Sequence, residues 1–233
     1  MTIKGLDVSG KIAVVVGGTS GIGKALAIGL AEAGADVIAS SRRMEQVQET
    51  TKLIEATGRK SLAVASDVGD RASLQNLLAE TVAKFGKVDI LVNCAGTTKR
   101  TPTLDLEEAE WQGILDTNLT GTLRCCQVFG RHMVDRGYGR IINIASLSTF
   151  VALYEVAAYA ASQAAVASLT KSLAVEWARH GVCVNAIAPG VFRTPLNTEL
   201  LDRTERGKEF LMRTPMGRFG KVEELVGAAI YLA

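Results

Sequence analysis

The chain has 233 residues, 48% of them hydrophobic, with a formal net charge of +2. That length fits one large α/β domain or two small ones, and so even a charge offers no basic stripe for nucleic acid and no membrane-seeking surface. The cysteines Cys94, Cys125, Cys126 and Cys183 follow no zinc-binding spacing, so no metal is expected and they read as reduced core thiols of a cytoplasmic protein.

The N-terminal stretch has no basic-then-apolar leader. Its apolar run, Ile12–Val16, is too short to cross a bilayer. The run is rich in β-branched residues and apolar on both faces, as a strand buried between helix layers must be. Glycines 17, 21 and 23 follow in G-x-x-x-G-x-G spacing and lead into a helix over 22–33. Free backbone N–H groups and the helix dipole make such a turn an anion site suited to a pyrophosphate. Missing side chains let a phosphate approach the backbone. A glycine triplet alone is a weak signal, and the strand before and helix after give it meaning.

A second strand, Asp36–Ser40, runs into Ser41, Arg42 and Arg43. An acid at this strand end would accept the ribose hydroxyls of NAD. Two guanidinium groups instead suit a 2′-phosphate, which favours NADP over NAD. The plainer alternative is a solvated helix start. Helices over 45–56, 73–85, 119–136 and 159–180 then alternate with strands over 61–66, Ile90–Asn93, 140–144 and Val182–Ile187. This order predicts a single α/β domain over residues 1–233, with a Rossmann-type doubly wound parallel sheet and helices on both faces. Ligands of such sheets bind beyond the carboxyl ends of the strands. The polar stretch near 190–216 reads as a lid over that crevice. Arg100, beside Lys99, is a candidate for holding a substrate carboxylate, with Arg193 and Arg213 as further, weaker candidates on the lid. An exposed basic loop is the alternative for the first pair.

Taken together, these motifs resemble the short-chain dehydrogenase/reductase family along the whole chain. Gly17, Gly21 and Gly23 match its glycine signature, although Val16 stands where a threonine is common. Asp67 and Val68 match the pair that contacts the adenine ring, and "NCAG", Asn93 to Gly96, matches N-x-A-G. Asn118, Ser146 and Tyr159 fall on the catalytic asparagine, serine and tyrosine. "PGVFRT", Pro189 to Thr194, matches the nicotinamide-side motif. The resemblance therefore implies cofactor contacts from Gly17, Thr19, Ser20, Gly21, Ile22, Gly23, Ser41, Arg42 and Arg43. It adds Asp67, Val68, Asn93, Ala95, Gly96, Tyr159, Gln163, Pro189, Gly190, Phe192 and Thr194. Wording such as "NCAGTTKRTP" and "RTPMGRFG" is most similar to the gluconate and deoxygluconate dehydrogenases, and related wording occurs in 3-oxoacyl reductases. The resemblance also implies a homotetramer, with a dimer as the smaller assembly, and one further C-terminal strand beyond "AAIYLA".

In the resembled family the tyrosine moves the proton on the substrate oxygen. A free phenol titrates near ~10, so a lysine four residues on, with the oxidised cofactor, favours phenolate. That lysine also holds the nicotinamide ribose, the serine binds the substrate oxygen, and the asparagine helps hold a water chain. Here the lysine position is Gln163. Its amide can still bond a ribose hydroxyl, but it carries no charge. Lys171, eight residues farther along the helix and so ~12 Å away, does not replace it. Two readings follow: a dehydrogenase with impaired turnover, or a non-catalytic NADP-binding protein.

Overall fold

The computed structural model describes residues 6–195 and 197–233. The first half alternates β1 (Ile12–Val16), α1 (Gly21–Glu32), β2 (Asp36–Ser40), α2 (Met44–Ala56), α3 (Arg71–Phe85) and β3 (Ile90–Asn93). It continues with α4 (Glu108–Leu115), α5 (Gly121–Arg136), β4 (Gly139–Ile144), α6 (Ala157–Trp177) and β5 (Val182–Ile187). Three short helices close it: α7 (Thr198–Arg203), α8 (Glu205–Met212) and α9 (Val226–Leu232).

The strands form one parallel sheet in the order β2-β1-β3-β4-β5. Every residue of β1, β2 and β3 is buried, which is why these strands are apolar on both faces. One face packs against α3, α5 and α6 through Leu74, Leu77, Phe129, Met133 and Leu173. The other packs against α1, α2 and α9 through Leu26, Leu30, Ile54 and Ala229. From β1 the chain crosses first to β2 and then back to β3 on the opposite side. A crevice opens at that reversal. Val16 pairs with both Ser40 and Asn93, and Asn93 with Asn143, so the strands end level with one another.

The expected strand over 61–66 does not form. The segment runs beside β2, and backbone bonds join them only near its ends, from Val37 to Lys60 and from Ser66 to Ser41. Between those points hydroxyls take the carbonyls that a ladder would use. Ser61 Oγ donates to the Val37 carbonyl and Ser40 Oγ to the Val64 carbonyl, each at 2.6 Å. Serine side chains compete with strand pairing in this way.

The helix expected over 119–136 is the end of a longer run. After α4, residues Asp116–Thr120 form a π turn that leads into α5. Such turns mark functional positions in many helices. The helix expected over 159–180 ends at Trp177 and closes with a 3-10 turn, Ala178–His180, before Gly181 at φ 74. The stretch near 190–216, expected as a lid, carries α7 and α8. No helix among the described residues is long and apolar enough to cross a membrane.

Candidate active site

The crevice at the strand ends holds a cleft of about 270 Å³. Its wall begins with the turn after β1. Gly17 sits at φ 80, and a Cβ there would lie 2.5 Å from the Ala95 nitrogen. Gly23 admits no side chain either, because a Cβ would meet the Gly17 carbonyl at 2.1 Å. The turn is therefore packed backbone to backbone, and it leads directly into the N-terminus of α1 at the crevice. Gly17 and Gly18 also donate to the Ser40 carbonyl. Thr19 bonds Ser41 at 2.8 Å, tying the turn to the end of β2. Arg42 and Arg43 follow directly and are exposed.

Ser146 enters from the end of β4. It is 9% exposed, and its hydroxyl accepts the Ser148 N–H, capping the short turn Leu147–Thr149. Tyr159 enters from the first turn of α6. Burial pushes its phenol above the ordinary value, and the Ser146 hydroxyl draws it partly back. The neighbouring Cys94 thiol adds a small upward push and is itself raised to about 12 by burial. No cation is among the groups acting on the phenol.

Gln163 lies one turn farther along α6 and lines the same cleft. It is 5% exposed, and its Oε1 is buried with no hydrogen-bond partner. Unmet among the described residues, this acceptor sits just behind the cleft wall, where a turn of the amide would offer it to a ligand hydroxyl. With the side-chain-free turn opposite, the residues present fit a dinucleotide.

Asn118 sits in the π turn and is 2% exposed. Its Oδ1 accepts the Thr97 N–H, and its Nδ2 donates to the Thr97 carbonyl and to Ser162 Oγ. Ser162 Oγ in turn donates to the Tyr159 carbonyl at 2.7 Å. With both amide hydrogens used, the Asn118 side chain holds the loop after β3 against the helix that carries Tyr159.

Of the sequence-predicted residues, Gly17, Ser20, Gly21, Ile22, Gly23, Ala95, Gly96, Ser146, Tyr159, Gln163, Pro189, Gly190, Phe192 and Thr194 all line this cleft. Asn93 does not. Its Nδ2 donates to Asn143 Oδ1 at 2.8 Å, inside the protein, so it joins β3 to β4. Asp67 turns back on its own loop, its Oδ1 accepting the Gly69 N–H. Val68 is 8% exposed and packs in the core. Lys99 pairs with Glu110, Arg100 with Glu155, and Arg193 with Asp202.

Beyond Ser146 a second cleft of about 990 Å³ opens beside α8. Leu147 and Val191, next in sequence to Ser146 and Gly190, mark where it adjoins the first. Arg206, Phe210 and Arg213 reach it from α8 and its end, and Tyr154 and Glu155 from the loop before α6. Arg206 and Glu155 were not among the sequence candidates. The only signal for them was the acid four residues ahead of Tyr159.

A parallel sheet with a glycine turn at its topological switch point, and a serine and tyrosine facing the same cleft, defines a dinucleotide-dependent oxidoreductase. The chain belongs to the short chain dehydrogenase family, whose model matches residues 11–205. It is 38% identical to the 2-dehydro-3-deoxy-D-gluconate 5-dehydrogenase of Dickeya dadantii, over 100% of this chain and 92% of that protein. It is 42% identical to the Bacillus subtilis protein of the same name, over 97% and 89% of the two chains. Among solved structures, a gluconate 5-dehydrogenase from Burkholderia cenocepacia in complex with NADP and tartrate superposes with a TM-score of 0.93. That match is 39% identical and covers 98% of this chain and 89% of the other.

Proposed function

We propose that this protein interconverts a secondary alcohol and a ketone on a sugar acid with NADP, with Tyr159 as general acid and base, and that Gln163 impairs its turnover. The observation that carries this reading is the meeting of Ser146 and Tyr159 in one cleft with the glycine turn. The names of the relatives, gluconate and deoxygluconate dehydrogenases, support the substrate class. NADP in the Burkholderia structure supports the cofactor.

The bound nicotinamide supplies the hydride donor or acceptor. The backbone N–H groups of Gly21 and Ile22 at the start of α1 would hold the pyrophosphate, and Arg42 and Arg43 would pair with the 2′-phosphate beside Ser41. Asp67 and Val68, which the resemblance puts beside the adenine, would meet it through the loop they form, since the Asp67 carboxylate bonds the Gly69 N–H and Val68 packs in the core. Gln163 would offer its amide to the nicotinamide ribose, and Thr194 would border the cofactor from the other wall of the cleft. Ser146 donates a hydrogen bond to the substrate oxygen. Tyr159 takes the proton of the alcohol during oxidation or returns it during reduction. A phenol raised by burial is a poor base at neutral pH, so oxidation is the step that suffers most.

A second reading is a non-catalytic NADP-binding protein, which the uncharged Gln163 favours. Titration with NADPH and NADH, followed by turnover on aldonates, neutral alditols and 3-oxoacyl thioesters, separates the readings. NADPH binding with aldonate turnover supports the first. Binding without turnover in both the parent and Gln163→Lys supports the second. Preference for alditols or thioesters overturns the substrate class. A homotetramer is the assembly we infer, and light scattering at the mass of a dimer or monomer would reject it. The free state of all four cysteines suits a cytoplasmic location.

A further inference from the structure

The geometry points to Arg206 as the residue that binds the carboxylate of the substrate, because its one acidic neighbour is held more closely by a second arginine. This rests on the sugar-acid reading and names the group that would make it selective.

The arginines near the larger cleft differ in how far their charges are met. Arg193 is 57% exposed and paired with Asp202, and Arg213 is 73% exposed and paired with Glu209. Arg100 is 43% exposed and lies 2.5 Å from Glu155 Oε2. Arg206 has a side chain only 12% exposed, and its one carboxylate neighbour is the same Glu155 Oε2, at 3.8 Å. Two guanidinium groups thus share a single carboxylate oxygen. The Glu209–Arg213 pair on the same wall cancels itself, and Arg100, just outside the cleft lining, holds Glu155 more closely than Arg206 does, so the charge of Arg206 is only partly met.

The Arg206 guanidinium is also held in place. It stacks 5.1 Å from the Tyr154 ring and 5.2 Å from the Phe210 ring, and one amino group donates to the Tyr154 carbonyl. Those contacts fix the plane of the fork and leave other N–H donors without an acceptor among the described residues. A nearly desolvated cation needs an anionic partner. A planar fork with spare donors matches a carboxylate in two parallel bonds. A hydroxyl can accept one of those bonds but cannot neutralise the charge. Glu155 itself sits at φ 62, the sole non-glycine residue at positive φ among those described. Its backbone carbonyl is held by the Thr101 N–H. Such a conformation persists only where surrounding contacts impose it, and here it delivers the carboxylate to both arginines.

Calorimetric titration with gluconate and with sorbitol, each with and without saturating NADPH, tests this. The parent chain should bind gluconate more tightly than sorbitol. Arg206→Gln should weaken gluconate binding roughly tenfold to a hundredfold, the range of a lost charge-assisted bidentate bond, and leave sorbitol unchanged. Arg206→Lys should fall between. Glu155→Gln removes the competing carboxylate and should tighten gluconate binding several-fold, an effect that general misfolding cannot produce. Arg193→Gln removes an exposed lid charge and should change little. Equal losses for both ligands in Arg206→Gln, or no gluconate binding by the parent, would overturn the assignment. Arg206-dependent gluconate binding in a chain that does not bind NADPH would keep this site and reject only the oxidoreductase reading.

Discussion

Restoring a cation beside Tyr159 is the sharpest perturbation this site allows. Position 163 lies four residues along α6, a rise of ~6 Å. Both side chains are largely shielded, so solvent screening is weak. At an effective dielectric of about 20, a unit charge ~6 Å from a phenolate stabilises it by about 3 kcal/mol. That is roughly a hundredfold in the phenolate population at neutral pH. The phenol of the parent chain is raised by burial with only the Ser146 hydroxyl opposing it. The base form therefore builds up only as pH climbs into the alkaline range, and oxidation should follow it upward. Gln163→Lys should move the rising limb of the kcat/KM profile toward neutrality and increase the oxidation rate at pH 7 roughly a hundredfold. The assay is initial-rate formation of NADPH from gluconate across a pH series, with NADPH affinity measured in parallel. Superimposable profiles and equal turnover in both chains would refute the electrostatic role given to this position.

Three further outcomes follow from other parts of the molecule. Replacing Arg42 and Arg43 together by serine should weaken NADPH binding by roughly tenfold or more, the scale of lost bonds to a charged group, and leave NADH nearly unaffected. Fluorescence titration reads this, and tighter binding of NADH by the parent would reverse the cofactor preference. Gly23→Ala drives a Cβ against the Gly17 carbonyl and should cost up to about 3 kcal/mol of stability and abolish NADPH binding. An unchanged affinity would mean that the turn is not the phosphate site. Asp89, 2% exposed, accepts the Ile12 N–H and pairs with Lys87 and Arg136. Burial alone would raise its carboxyl, but these partners outweigh it and hold it below the ordinary 3.8. Its contribution is thus complete above that value and is lost as pH falls through the lowered one. Asp89→Ala should lose about 3 kcal/mol in urea unfolding at pH 7, and the deficit should shrink in acid.

The sheet and the cofactor cleft were largely legible because their signals are local. Five β-branched runs became β1 to β5, and the glycines marked a turn whose packing excludes a Cβ. The strand over 61–66 misled because its composition is strand-like, while Ser61 and Ser40 spend their hydroxyls on the carbonyls that pairing needs. α4 and the π turn were hidden by a segment with a weak apolar stripe, from Glu108 to Leu115. The substrate side was illegible for a different reason. Lys99, Arg100 and Arg193 were candidates by charge alone, and sequence does not reveal that Glu110, Glu155 and Asp202 meet them. Arg206 stands out only once its neighbours are placed, because what distinguishes it is a missing partner.

Position 163 joins two jobs that can be separated. One is to bond a ribose hydroxyl, and the other is to place a positive charge beside the phenol. Glutamine keeps the first. Its buried Oε1 has no partner among the described residues, and an unmet buried acceptor costs about 1–3 kcal/mol. A ligand hydroxyl would remove that cost, so the position still rewards binding. The second job is lost outright, because an amide has no charge at any pH. Binding affinity and turnover should therefore respond differently to changes at this one residue. The surrounding frame does not degrade with it. Asn118 still links Thr97 to Ser162, and Ser162 still holds the Tyr159 carbonyl. The tyrosine is thus positioned for proton transfer in a field that opposes its ionisation. The field, and not the geometry, is what a single lysine would correct.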